Sequence, residues 1–209
     1  MKYNPKIHNR QSIRLKGWDY SQAGKYFITI NIQNRLHLLG NINNGEMILN
    51  DAGMMVEKWY FEMENKYPNI KCDEYIIMPD HFHCIIEILE NDGNINDGDV
   101  IDAHVFRDAH EGTSLRGRPD NTSPPDNINP IPKYGMHNKK YDASIFDMMD
   151  WFKTMTTNEY IRGIKNNNWK RFEKRLWQLR YHDHIIRNEN DYIRISNYIK
   201  NNPTKWDEY

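Results

Sequence analysis

Residues 76–88 read IIMPDHFHCIIEI: two histidines one position apart inside an otherwise apolar run. An apolar stretch interrupted by Pro79-Asp80 has the form of two buried strands joined by a tight turn. Side chains alternate across a strand, so His81 and His83 share one face, and Phe82 and Cys84 share the other. Two imidazoles side by side can grip a metal ion. They can equally be polar residues on a half-solvated sheet face, and the motif alone does not separate the two readings.

Outward from this run, the pattern predicts a strand, IKCDEYIIM, ahead of the turn and a second, HFHCIIEIL, after it. Upstream, GKYFITINIQN (24–34) alternates Tyr26, Ile28, Ile30 and Ile32 against Phe27, Thr29, Asn31 and Gln33, which predicts another strand. GNINNGEMILN reads as turn-rich, with a short apolar piece at Met47 to Leu49. DAGMMVEKWYFEMENKY places Met55, Trp59 and Met63 four apart with Val56 and Tyr60 beside them, an amphipathic helix capped at Asn50 or Asp51.

Residues 91–143 change character. They are rich in Asn, Asp, Gly and Pro and read as a flexible insertion within a single domain spanning 1–209. After it, Ile145, Met148, Met149, Phe152 and Met155 mark a helix with Ser144 as N-cap, Asp147 in its first turn and Gly163 near its end. LWQLRYHDHIIR reads as a strand, and NENDYIRISNYIKNN as a helix stopped by Pro203. The order strand, helix, strand, strand, helix, strand predicts an α+β fold. It is the ferredoxin-like split βαβ arrangement: an antiparallel sheet, helices on one face, and an added C-terminal helix. The other face is then free for a site.

Charge is unevenly spread in a chain of 209 residues whose formal net charge is −1. Residues 1–35 hold seven Lys or Arg against one acid, Asp19; residues 151–180 hold eight against Glu159 and Glu173. Two basic blocks can bind a polyanion at near-neutral overall charge. No apolar run approaches the roughly 20 residues that span a bilayer, the N-terminus shows no secretory pattern, and Cys72 and Cys84 are no disulfide framework. The expectation is a cytoplasmic protein, nucleoid-associated if the basic blocks meet DNA, with no membrane partner; a homodimer is compatible with the sequence.

Three stretches carry a resemblance. MPDHFHCII resembles the His-hydrophobic-His motif of HUH nucleases. SIRLKGWDYSQAGKYFITINIQNR with GEMILNDAGMMVEKWY, and WQLRYHDHIIRNENDYIRISNYIKNNPTKW, resemble the N- and C-terminal parts of REP-associated tyrosine transposases. These belong with the single-tyrosine HUH transposases of insertion sequences. The resemblance spans nearly everything outside 91–143. It implies metal-assisted cleavage and rejoining of single-stranded DNA near hairpins through a 5′-phosphotyrosine. The nucleophile of the Tyr-Ile-x-x-Asn-Pro pattern falls on Tyr198, and the third metal ligand, beside His81 and His83, on Asn202. Tyr198 and Asn202 are four apart, which on a continuous helix is one face. The implied cofactor is Mg²⁺ or Mn²⁺, Mn²⁺ suiting imidazole better. The implied partner is hairpin-bearing single-stranded DNA. Arg10, Arg14, Lys16, Lys170, Arg171 and Arg175 are the candidate backbone contacts, and Trp18, Trp151, Trp169 and Trp177 the candidate stacking platforms.

A second His-x-His, His182 and His184, opens a rival: a zinc-dependent hydrolase using His81, His83, His182 and His184. Against it, Ile85 and Ile86 stand where a metallo-β-lactamase-type motif has Asp-His, and no HExxH is present. Outside enzymes, the rival is a domesticated, non-catalytic nucleic-acid-binding protein.

Overall fold

The computed structural model describes residues 15, 17–90, 140 and 142–208. Arg10, Arg14, Lys16 and nearly all of the expected 91–143 insertion lie outside the described residues.

Four strands form one antiparallel sheet: β1 (Gly24–Asn31), β4 (Ile70–Ile77), β5 (His81–Ile88) and β6 (His182–Ile186), in the order β4-β5-β1-β6. With α1 (Asp51–Lys66) between the first two and α2 (Ile145–Asn166) between the last two, this is the expected split βαβ topology. Even-numbered β1 and β5 residues (Tyr26, Ile28, Ile30; Phe82, Cys84, Ile86) face the main core with Met55, Val56, Trp59, Tyr60, Met63, Met148, Met149 and Phe152 from the two helices. Both helix starts follow the sequence. The Asn50 side chain accepts from the Gly53 N–H, and Ser144 and Asp147 form a reciprocal capping box.

The opposite face is not free, as expected, but half covered. Helix α3 (Glu189–Lys200) packs Ile195 and Ile199 on Phe27, Ile85 and Ile186. A bulge in β4 between Cys72 and Tyr75 explains its anchorage. Cys72 and Tyr75 both pack toward the main core, and the two residues between them both reach the α3 side. There Asp73 accepts from Tyr192 Oη (3.1 Å) and pairs with Lys25 (3.1 Å), and Glu74 pairs with Lys200 (2.6 Å).

Other expectations need correcting. GNINNGEMILN is a hairpin of β2 (Gly40–Asn43) and β3 (Glu46–Leu49), turning through Asn44 (φ 52°) and Gly45 (φ 76°). Asn-Gly supplies the two left-handed residues such a two-residue turn needs. The strand expected across LWQLRYHDHIIR is confined to β6, with only an isolated bridge from Trp177 to Ile32. Gly163 lies near the end of α2, as expected, three residues before Asn166, and its carbonyl accepts from the Asn167 N–H that caps the helix. Its missing side chain also admits the Trp169 indole: a Cβ there would sit 2.2 Å from the Trp169 ring. Among the described residues no helix is long and apolar enough to cross a membrane.

Candidate active site

The face under α3 is organised by strand parity. His81 and His83 point to it from β5, opposite Asn31 and Thr29 of β1, and His182 lies opposite Thr29 on β6. One row across the sheet is therefore His83, Thr29, His182. The next is Ile85, Phe27, His184.

His81 and His83 stand with ring centroids 4.6 Å apart, and both are buried. Each ring is held through Nδ1. His81 Nδ1 lies 2.5 Å from Asp80 Oδ1, and the other Asp80 oxygen takes Arg35 Nε at 2.9 Å. His83 Nδ1 lies 2.7 Å from Thr29 Oγ1. Arg35 reaches Asp80 because the chain leaves β1 through two left-handed residues, Asn34 (φ 59°) and Arg35 (φ 53°), and Arg35 Nη1 also donates to Asn31 Oδ1. Burial, then the neighbouring His81, Arg35 and His182, hold the His83 imidazole down to about 2, so it is neutral at any physiological pH. A neutral imidazole is the ligand form.

The Tyr198 hydroxyl reaches this pair from α3, 3.3 Å from His83 Nε2, with its ring edge-on to His83 and Phe27. Tyr198 stands 45% exposed, so the oxygen is open to a substrate. A cleft of about 840 Å³ gathers His81, His83, Tyr198 and Asn202 with Arg35, Lys205 and Trp206. All four residues expected from sequence meet there. Asn202 does so by a different route: α3 ends at Lys200, so Asn202 lies in the turn before the 3₁₀ helix Pro203–Glu208 rather than on the helix face below Tyr198. The proline that follows disfavours helical geometry at position 202.

The donor set suits one divalent ion. With both Nδ1 atoms engaged, the Nε2 atoms of His81 and of His83, the latter 3.3 Å from the Tyr198 hydroxyl, could serve as ligands, and the Asn202 side chain lines the same cleft. Among the described residues no three His, Cys, Asp or Glu side chains gather in a way that could hold a metal. His81, His83, His182 and His184 are thus not gathered as a four-histidine centre among the described residues. His184 Nε2 is instead bonded to Asp191 at 2.8 Å.

The remaining sequence candidates separate from the cleft. Lys170, Arg171 and Arg175 are exposed, beyond α2, and do not line the cleft at Tyr198. Trp177 is core and donates to Thr156 at 2.8 Å; Trp151 and Trp169 pack against the core. Tyr160 of α2 is buried, donates to the Lys170 carbonyl, and its phenol is pushed up to about 12 by that burial. Sequence reading missed Arg35, Asp80, Thr29, Lys205, Arg194 and Trp206. Trp206 stacks on His81, with ring centroids 6.0 Å apart, and meets His37 edge-on. Only Asp80 carried a usable signal, as the acid directly preceding a candidate ligand.

No protein-family model matches the chain. It is 33% identical over 210 residues to an uncharacterized protein of Haemophilus influenzae, an alignment covering 99% of this chain and 95% of that one. The chain belongs to that protein's family. A solved structure of a REP-associated tyrosine transposase bound to a REP hairpin is similar at a TM-score of 0.51 and 18% identity, covering 92% of this chain and 74% of that one. At that identity the likeness is one of fold.

Proposed function

We propose that this chain is a metal-dependent single-stranded DNA endonuclease and strand transferase that cleaves and rejoins DNA near hairpins. The observation that carries the reading is the approach of the Tyr198 hydroxyl to His83, 3.3 Å apart across 115 positions of sequence, at the mouth of a cleft that also holds His81 and Asn202. The similar fold is that of a tyrosine transposase bound to a hairpin, which supports the same substrate class here.

In this reading the Tyr198 oxygen attacks the phosphorus of a phosphodiester and its proton passes to solvent. The bond from phosphorus to the 3′ oxygen breaks, and that oxygen takes a proton from water to leave as a 3′-hydroxyl. The 5′ side stays on Tyr198 as a phosphotyrosine. One bond is exchanged for another of like energy, so no nucleotide cofactor is required, and rejoining is attack by a 3′-hydroxyl on the adduct. Mg²⁺ or Mn²⁺ held by His81, His83 and Asn202 supplies Lewis-acid neutralisation of the phosphate oxygens. Thr29 and Asp80 fix the imidazole orientations, and Arg35 fixes Asp80. Arg35 and Lys205 bring positive charge to the anionic strand. The setting is the nucleoid of the cytoplasm.

Incubation with hairpin-bearing single-stranded DNA and Mn²⁺, followed by denaturing electrophoresis, should yield a covalent protein–DNA band. Tight binding of the same DNA with no adduct under any divalent ion would leave a non-catalytic nucleic-acid-binding protein as the better reading.

A further inference from the structure

Tyr198 is shared by two clefts. On the side away from His81, a second one of about 590 Å³ lies between β6 and α3, with Phe27 and Ile195 in its lining and His182, His184 and Arg194 around them. Its volume is that of a small-ligand site, for which the range is roughly 300–1,000 Å³. It takes up the second His-x-His motif, which the reaction above does not use.

The donors in this cleft are in excess. Asp191 is the local carboxylate, and its two oxygens are taken by His184 Nε2 (2.8 Å) and Arg194 Nη2 (2.6 Å). That leaves the remaining N–H groups of a 68% exposed guanidinium. His182 is exposed and makes no hydrogen bond among the described residues. Phe27 and Ile195 line the same cleft, both largely buried, with the Phe27 ring stacked on His83. Cationic and imidazole donors in the same lining as an apolar ring match the two halves of a nucleotide: phosphate and base. Among the described residues β6 is an edge strand of the sheet, paired with β1 alone, so the cleft opens where a polynucleotide can enter and leave.

We propose that this second cleft seats the unpaired nucleotide adjacent to the scissile phosphodiester, with its phosphate on Arg194 and His182 and its base against Phe27 and Ile195. The assignment rests on the nuclease reading above. It makes Tyr198 the divider between the metal-ligand pair and the nucleotide seat, so that a strand threaded through both passes its backbone across the phenol.

The test uses the full chain carrying Tyr198→Phe, in chelator, with a fluorescent DNA hairpin bearing single-stranded flanks. Adding Arg194→Ala or His182→Ala should weaken binding five- to tenfold with an unchanged melting temperature. Arg194→Ala should flatten the plot of log K against log salt by roughly 0.7, one single-strand phosphate contact, and Arg194→Lys should restore it. Methylphosphonate substitution scanned along the flank should find one linkage at which parent and Arg194→Ala bind equally, and an abasic site beside that linkage should weaken the parent. Variants within twofold of the parent, or no sensitive linkage, overturn the assignment. So does an anion site with no abasic effect at either neighbour. Failure of the parent itself to bind DNA defeats the nuclease reading, and this one with it; adduct formation by the wild-type chain alongside unaffected variants defeats this one alone.

Discussion

Asp80 and His81 are neighbours in sequence and bonded to each other, Oδ1 to Nδ1 at 2.5 Å, and the opposite oxygen of Asp80 is held by Arg35. The carboxylate fixes the ring rotation and leaves Nε2 facing the cleft. Asp80→Asn should therefore keep the fold yet weaken Mn²⁺ affinity about 10- to 100-fold, the usual cost of losing such a partner. Titration calorimetry with Mn²⁺ checks it, and equal affinity in the two proteins would mean that Asp80 has no hold on the site.

Tyr198→Phe removes one oxygen from a half-exposed ring. Adduct formation should vanish while hairpin affinity stays within about twofold and melting is unchanged. A persisting adduct would move the nucleophile to another residue, and Tyr160 is excluded in advance by its burial and its bond to the Lys170 carbonyl.

The parity of β5 made His81 and His83 legible from sequence, because a strand has only two faces and an apolar neighbour fixes which is which. Tyr198 was legible through its resemblance to a known pattern, and the two capped helices through their Asn50 and Ser144 signals. Arg35 was not legible: it reaches Asp80 only because Asn34 and Arg35 adopt left-handed backbone, and no residue type there demands it. The covering of the second face was hidden for a related reason. The β4 bulge turns Asp73 and Glu74 toward the same side, which breaks the alternation that pattern reading relies on.

The neutral buried His83 sets a pH dependence in metal-free protein. Its folded pKa, about 2, lies below the ordinary 6.5, so the unfolded chain binds the extra proton. Its contribution is intact above pH 6.5 and falls as pH drops through that value toward 2, by up to about 1.4 kcal/mol per pH unit. In chelator, His83→Gln should lose less stability than wild type between pH 6.5 and 4.5. Parallel denaturation curves across that range would show that His83 is not the group responsible.

Gly163→Ala should destabilise by about 1–3 kcal/mol, since the new methyl enters the Trp169 indole and either α2 or the following segment must shift. A melting temperature equal to wild type would mean that the segment yields freely.

Arg171 and Arg175 belong to that same segment, exposed and lining neither cleft. Reversing both to Glu should weaken hairpin binding alike for all sequences and flatten its salt dependence, because phosphate contacts carry no base information. Unchanged affinity and slope would make this stretch a solvated face and put the DNA path elsewhere.

The large cleft draws Thr29, Asn31 and Arg35 from the early part of the chain, Asp80, His81 and His83 from its middle, and Tyr198, Asn202, Lys205 and Trp206 from its last dozen residues. Synthesis runs in that order. The two histidines and their Asp80 and Thr29 supports come from segments made long before the phenol emerges. On the proposed reading, a chain broken before position 198 would keep both histidines and their supports and lack the phenol that does the cutting.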